Sequence, residues 1–180
     1  TEGRLEEIAE WASWAGQASW FLGEISWETF KASGADIDIY MNLLLEAERY
    51  AQIIELVYKE RQSSDTAGPI LLYYRSLAQK ELGEDQRAEE TLRLAVETSG
   101  PLNAEFLEGK LTILQRWDLL GQLFEQRIAR ESESSEMALK LLATYYLQGQ
   151  TYDIFLLLES LRDVELIDQP LWQSLHLYLK

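Results

Sequence analysis

The stretch KELGEDQRAEETLRLA, from Lys80 to Ala95, has the pattern of a short turn followed by an amphipathic helix. Gly83 separates two runs of helix-forming residues, and Ala88, Leu92 and Ala95 recur on one face of the second run. Small residues on a buried face are typical of two helices that cross closely, because larger side chains would push the backbones apart. The stretch therefore predicts the second half of a pair of packed helices.

The same pattern recurs along the chain. The inward residues of every second helix follow one another at steps of 32, 35, 32 and 34: Phe21, Ile53, Ala88, Leu120 and Ile154. Each of the three prolines, Pro69, Pro101 and Pro170, precedes an apolar-periodic run, which is typical of a helix start because the first turn tolerates proline. Alternation of apolar and polar residues, which would indicate strands, is absent. An all-helical repeat protein is predicted.

A period near 34 with two helices in each unit resembles the tetratricopeptide repeat. The repeat at 68–100 matches the family pattern best. Ser76 is the small residue of its first helix, Gly83 is the turn glycine, and the packing sites of its second helix are Ala88, Leu92 and Ala95. Further matches are Phe124, Tyr145, Gly149, Trp172 and Leu175. Departures from the family pattern are Arg75 for leucine, Leu120 and Ile154 for alanine, and Glu48 and Gln115 for the turn glycine. The resemblance covers nearly the whole chain, in degenerate repeats.

The resemblance implies an all-α, right-handed superhelix (an α-solenoid) of about five helix-turn-helix repeats plus one C-terminal helix. One domain, residues 1–180, is expected, with repeats at about 2–34, 35–67, 68–100, 101–134 and 135–167 and an extra helix at 168–180. Gly34 is the expected end of a helix and Asp36 the expected N-cap of the next. Because the last helix keeps an apolar face and the chain lacks a start methionine, a longer parent protein is expected.

Composition excludes several functions. The chain has 31 acidic and 16 basic side chains, a formal charge of −15, which disfavours nucleic acid and anionic lipid and favours basic partners. No apolar run is long enough to insert into a membrane, so a soluble domain of the cytoplasm or the periplasm is expected. With no cysteine and a single histidine, His176, we expect no catalytic residue, metal site or cofactor. Phosphate-binding and calcium-binding motifs are absent.

In tetratricopeptide arrays the first helix of each repeat lines a concave groove in which ligands bind. The corresponding residues here are acidic towards one end and apolar or aromatic towards the other: Glu6, Glu10, Trp14, Asp38, Asn42, Glu46, Tyr73, Leu77, Lys80, Glu105, Thr112, Leu139 and Tyr146. Such a groove would suit a protein segment with basic residues and apolar anchors. A solvated face without a ligand is the alternative interpretation.

Four tryptophans, Trp11, Trp14, Trp20 and Trp27, lie within the first repeat. They predict either a surface for sugars or a partner protein, or the packing of an apolar end of the array or of a preceding repeat. The favoured function is a non-catalytic protein-protein interaction module or scaffold. The alternative is the tetratricopeptide segment of a bacterial exopolysaccharide secretion protein that guides a glycan or docks secretion partners.

Overall fold

A computed structural model describes residues 2–63, 68–130 and 135–163. These residues form helices and connecting turns with no strand among them, which confirms the all-α class. The helices are α1 (Glu2–Trp14), α2 (Ala18–Glu24), α3 (Trp27–Ala32), α4 (Ile37–Glu46), α5 (Tyr50–Ser63), α6 (Pro69–Glu81), α7 (Asp85–Glu97), α8 (Pro101–Ile113), α9 (Trp117–Arg130), α10 (Ser135–Leu147) and α11 (Thr151–Asp163).

The helix starts follow local side-chain chemistry. Pro69 and Pro101 are the first residues of α6 and α8, where a missing backbone N–H leaves no hydrogen bond unmade. The Asp36 carboxylate accepts a hydrogen bond from the backbone N–H of Asp38 at 2.9 Å and caps α4, as the sequence predicts. The helix predicted at 168–180, with Pro170 and His176, lies outside the described residues.

A left-handed residue ends the first helix of each pair. The five residues and their φ angles are Gly16 (67°), Glu48 (55°), Gly83 (77°), Gln115 (55°) and Gly149 (69°). At the third of these turns, Gly83 N–H bonds to the Lys80 carbonyl at 3.0 Å and Glu84 N–H to the Gln79 carbonyl at 2.9 Å. The predicted turn positions are therefore confirmed, including the two at which another residue replaces glycine.

The second helix of the first pair differs from the prediction. One continuous helix was expected before Gly34, whereas the chain forms α2, of seven residues, and α3, of six. Ile25 is extended between them, and the Ser26 hydroxyl accepts a hydrogen bond from Thr29 N–H at 3.2 Å, which starts a new helix. Phe21 and Phe30 pack edge to face across the break, with ring centroids 6.1 Å apart.

The chain divides into two compact units, Thr1–Ala95 (the N-terminal unit) and Val96–Lys180 (the C-terminal unit). Aromatic residues dominate one core of the N-terminal unit, where Phe30 and Trp27 both contact the Tyr40 ring. Aliphatic residues of α10 and α11 form a core in the C-terminal unit: Ala138, Leu142, Ile154, Leu158 and Leu161. The five inward residues predicted from the repeat spacing are buried: Phe21, Ile53, Ala88, Leu120 and Ile154.

Candidate partner-binding face

In the N-terminal unit, α4 contacts both α1 and α6, so the first helices of three successive pairs lie side by side. The Ser13 hydroxyl donates to the Glu46 carboxylate at 2.5 Å and joins the ends of α1 and α4. The Tyr74 hydroxyl donates to the Asp38 carboxylate and joins α6 to the start of α4. The predicted groove residues of these helices are called the three-helix face below: Glu6, Glu10, Trp14, Asp38, Asn42, Glu46, Tyr73, Leu77 and Lys80.

Three carboxylates of the three-helix face hold the helices together. Glu6 accepts a hydrogen bond from the backbone N–H of Asp36 at 2.7 Å, while Glu46 accepts from Ser13 and Asp38 from Tyr74. From the sequence, these acids are expected only to attract a basic partner. Their negative charge remains, but their oxygens also have partners within the protein.

Glu10 and Trp14 are the exposed members of the face on α1. They are four residues apart in α1 and therefore neighbours on one side of the helix. Glu10 is exposed and forms no hydrogen bond or ion pair with the described residues, and Trp14 is 87% exposed. A carboxylate next to an indole ring can hold an ammonium or guanidinium group by charge and by cation–π attraction.

Tyr73 has a different environment from the one expected. It is 5% exposed and packs edge to face on Tyr74, with ring centroids 5.2 Å apart, so it has little surface for a partner. Burial, with a smaller effect of the Asp38 charge, raises the pKa of Tyr73 to about 12. Burial and the hydrogen bond to Asp38 also raise the pKa of Tyr74, whose hydroxyl lies beside Asn42 as well.

The other predicted positions differ in exposure. In α6, Leu77 is half-buried and Lys80 is exposed. In the C-terminal unit the predicted residues of α8 and α10 are all exposed: Glu105, Thr112, Leu139 and Tyr146. Lys140 binds Glu108 at 2.7 Å and so joins α10 to α8 within this unit.

The four tryptophans of the first repeat differ in their exposure to solvent. Trp11 and Trp20 are exposed by 55% and 50%, in addition to Trp14. Trp27 is buried at 8%, and its indole N–H donates to the Glu60 carboxylate at 2.8 Å. Three of the four are thus surface residues, and one belongs to the core. The sequence carries no signal that pairs Trp27 with Glu60, because the two residues come together only by tertiary packing.

Comparison of the chain with protein-family models, curated proteins and solved structures finds no match. The likeness to tetratricopeptide repeats therefore depends on the residues quoted above. Across residues 2–63, 68–130 and 135–163, no helix has both the length and the apolar character needed to span a bilayer. Within those same ranges no three His, Cys, Asp or Glu side chains are grouped in a way that could hold a metal ion.

Proposed function

We propose that the chain is a non-catalytic interaction module, a right-handed superhelix of tetratricopeptide type, that binds a protein segment on the three-helix face. The segment carries basic and apolar residues. The observation that supports this function is the exposed pair of Glu10 and Trp14 on α1, which lies beside α4, the first helix of the next pair. The proposed function involves no catalytic residue and no cofactor.

Charge supplies the long-range attraction. A formal charge of −15 on 180 residues attracts basic segments and increases the rate at which they meet the protein. Because the Debye length is about 10 Å at 0.1 M salt, added salt screens this attraction. Binding that depends on the acids is therefore expected to weaken as the salt concentration rises.

Trp14 supplies the contact area. An exposed indole ring buries on the order of 150–250 Å² when a partner covers it, and tryptophan is enriched among the residues that dominate binding energy. Glu10, one helical turn away, gives the same place a negative charge. Together they select a segment in which an arginine or lysine stands near an apolar side chain.

The test uses an array of synthetic peptides that combine arginine or lysine with leucine or phenylalanine, each with a version in which glutamate replaces the basic residues. Fluorescence anisotropy of the tightest binder is then measured with variants of the chain. We expect Glu10→Lys and Trp14→Ala each to weaken binding roughly tenfold or more.

Matched controls are Glu90→Lys, which makes the same change of charge at an exposed site of α7, and Trp20→Ala, which removes another exposed tryptophan. Both are expected to keep the affinity. If no basic peptide binds, or if the controls lose as much affinity as the test variants, the proposal fails. An oligosaccharide array in place of peptides tests the exopolysaccharide alternative, which would be favoured by a glycan whose binding requires Trp14.

A further inference from the structure

A cleft of about 370 Å³ opens in the N-terminal unit where the chain breaks between α2 and α3. It is lined by residues of α2, α3 and α5 and by Tyr40 of α4, and it shares no residue with the three-helix face. The cleft is at the small end of the size range of ligand pockets. Its volume suits one long side chain rather than a folded surface.

The floor of the cleft is formed by two aromatic rings that are held in place and largely buried, since Trp27 is 8% exposed and Tyr40 1%. The rings of Trp27 and Tyr40 have centroids 5.4 Å apart and an interplanar angle of 59°. The Trp27 indole N–H donates to Glu60, and the Tyr40 hydroxyl donates to the Ile25 carbonyl at 3.3 Å. Ile25 is the extended residue at the break, so the interruption of the helix also positions one ring of the floor.

Most charges around the cleft already have partners. Glu60 accepts from Trp27 with one oxygen and from Lys31 with the other, the latter at 2.5 Å. Glu55 forms an ion pair with Lys59 at 2.9 Å, and both side chains are largely exposed. These pairs leave little net charge on that side of the opening.

Glu28, in the first turn of α3, is the carboxylate that remains. It lines the cleft and forms no hydrogen bond or ion pair with the described residues. The charge of Glu28 acts on groups across the opening. Burial is the main cause that raises the pKa of Tyr40, and the bond to Glu55 is the main cause that raises the pKa of Lys59; the Glu28 charge adds to both shifts. One negative charge therefore stands over an aromatic floor.

We propose that this cleft binds the side chain of an arginine from a protein partner, with its guanidinium on Glu28 and its stem against the exposed part of Trp27. Arginine fits better than lysine, because a planar guanidinium can make two parallel hydrogen bonds to one carboxylate. The site is independent of the three-helix face. A partner that uses both sites would contact both the first and the second helices of the N-terminal unit.

The probe is acetyl-arginine methylamide, and its control is acetyl-citrulline methylamide, which keeps the shape but has no charge. The readout is the indole N–H signal of Trp27 in a ¹H–¹⁵N spectrum, identified among six tryptophans by its loss in Trp27→Phe. We expect a saturable shift of this signal with the arginine probe and none with the citrulline probe. Glu28→Gln should weaken binding roughly tenfold or more, and Lys59→Gln, which removes a competing cation, should strengthen it.

Glu24→Gln is the matched control, because it removes an exposed acid of α2 that does not line the cleft. It should bind the probe as the wild type does, as should Glu10→Lys, which separates this site from the three-helix face. Equal binding of citrulline, or full binding by Glu28→Gln with an unchanged circular dichroism spectrum, would overturn the proposal. So would a shift caused by free agmatine but not by the acetylated arginine, since the occupant would then be a small amine.

Discussion

Glu48 and Gln115 have the same left-handed backbone conformation, with φ at 55° in each. Both stand at the turn between the two helices of a pair, where Gly16, Gly83 and Gly149 stand in the other pairs. A side chain in this conformation brings its Cβ close to the following carbonyl, which costs roughly 1–2 kcal/mol. The turn geometry is thus kept at two places despite an unfavourable residue.

Replacement of either residue by glycine should stabilise the protein. Glu48→Gly and Gln115→Gly are each expected to raise the free energy of unfolding by about 1 kcal/mol, because both side chains are exposed and only backbone strain is lost. For a chain of this length that corresponds to a rise in Tm of about 2–4 °C. Thermal denaturation followed by circular dichroism measures the change.

Two further substitutions serve as controls, one that removes a turn glycine and one that places a glycine within a helix. Gly83→Ala places a Cβ in open space at a φ of 77°, so its expected loss of about 1 kcal/mol comes from backbone conformation alone. Ala143→Gly, at an exposed site within α10, should cost a similar amount through lower helix propensity. If Glu48→Gly lowers stability as Ala143→Gly does, the strain at the turn is refuted.

The second prediction concerns the dependence of stability on Glu60 and pH. The hydrogen bond from Lys31, assisted by the Trp27 indole and opposed by burial, lowers the pKa of the Glu60 carboxyl below its usual value of 4.5. The unfolded chain therefore takes up a proton at higher pH than the folded protein does. The stabilisation is present above about pH 4.5 and is lost as the pH falls through the folded-state pKa.

Glu60→Gln keeps an acceptor for Trp27 but ends the ion pair with Lys31. We expect it to lower the free energy of unfolding by about 1 kcal/mol at pH 7, a modest amount because Lys31 is half exposed. The difference in the free energy of unfolding between wild type and Glu60→Gln should become smaller below about pH 4.5. Urea denaturation from neutral to acidic pH measures it, and Glu97→Gln is the control at an exposed site. A difference in the free energy of unfolding that stays constant with pH would contradict the lowered pKa of Glu60.

The third prediction concerns the hydroxyl of Tyr74. Tyr74→Phe removes a buried donor from the Asp38 carboxylate and should cost about 1–3 kcal/mol at pH 7. The raised pKa of Tyr74 means that the folded protein keeps the phenol proton above pH 10, where the unfolded chain releases it. Stability from this group is therefore complete below about pH 10 and is lost as the pH rises further.

Urea denaturation between neutral and alkaline pH tests this sign. Wild type should lose more stability above about pH 10 than Tyr74→Phe does, because the variant lacks the group that is held protonated. Tyr58→Phe, at a residue that is 61% exposed, should behave like the wild type at every pH. The prediction would be contradicted if wild type and Tyr74→Phe lost the same free energy of unfolding at alkaline pH.

The fourth prediction compares two glycines within helices of the C-terminal unit. Gly109 in α8 faces open space, so Gly109→Ala should raise the free energy of unfolding by about 0.5–1 kcal/mol through helix propensity. Gly121 in α9 lies where a Cβ would be 3.4 Å from the Gln148 amide nitrogen, an ordinary contact. Gly121→Ala should therefore be tolerated.

Gly121→Leu should be destabilising. Its side chain would displace Gln148, whose amide donates to the Trp117 carbonyl at 3.0 Å, and a cost of roughly 1–3 kcal/mol is expected. Gly109→Leu, on the open face of α8, is the control and should cost little. Thermal denaturation of the four variants ranks them, and a Gly121→Leu protein as stable as Gly109→Leu would show that α9 and α10 are not closely packed at this point.

Features that depend on neighbouring residues in the chain could be predicted from the sequence. Proline at the start of α6 and α8, Asp36 at the start of α4 and the left-handed turns all result from chemistry within a few residues. The break at Ser26 had a local signal as well, since Ser26 and Thr29 form a capping pair. This signal did not lead to a predicted break, because apolar residues have helical spacing on both sides of Ser26.

Features that depend on contacts between helices could not be predicted. The partners of Glu6, Asp38 and Glu46 are set by the way in which α1, α4 and α6 pack, and helix periodicity contains no information about that register. The burial of Tyr73 has the same origin. The cleft over Trp27 and Tyr40 requires both the break and the position of α5, so its lining residues are scattered through the sequence.

The break between α2 and α3 also has a consequence for motion. Helices of seven and six residues are too short to persist alone in water, so each depends on its buried aromatic residues. The edge-to-face contact of Phe21 with Phe30 joins the two across the break, both helices contact α4, and Phe30 packs on the Tyr40 ring. Amide protons from residue 18 to residue 32 should therefore exchange with deuterium in one shared opening event rather than by separate fraying of two helix ends.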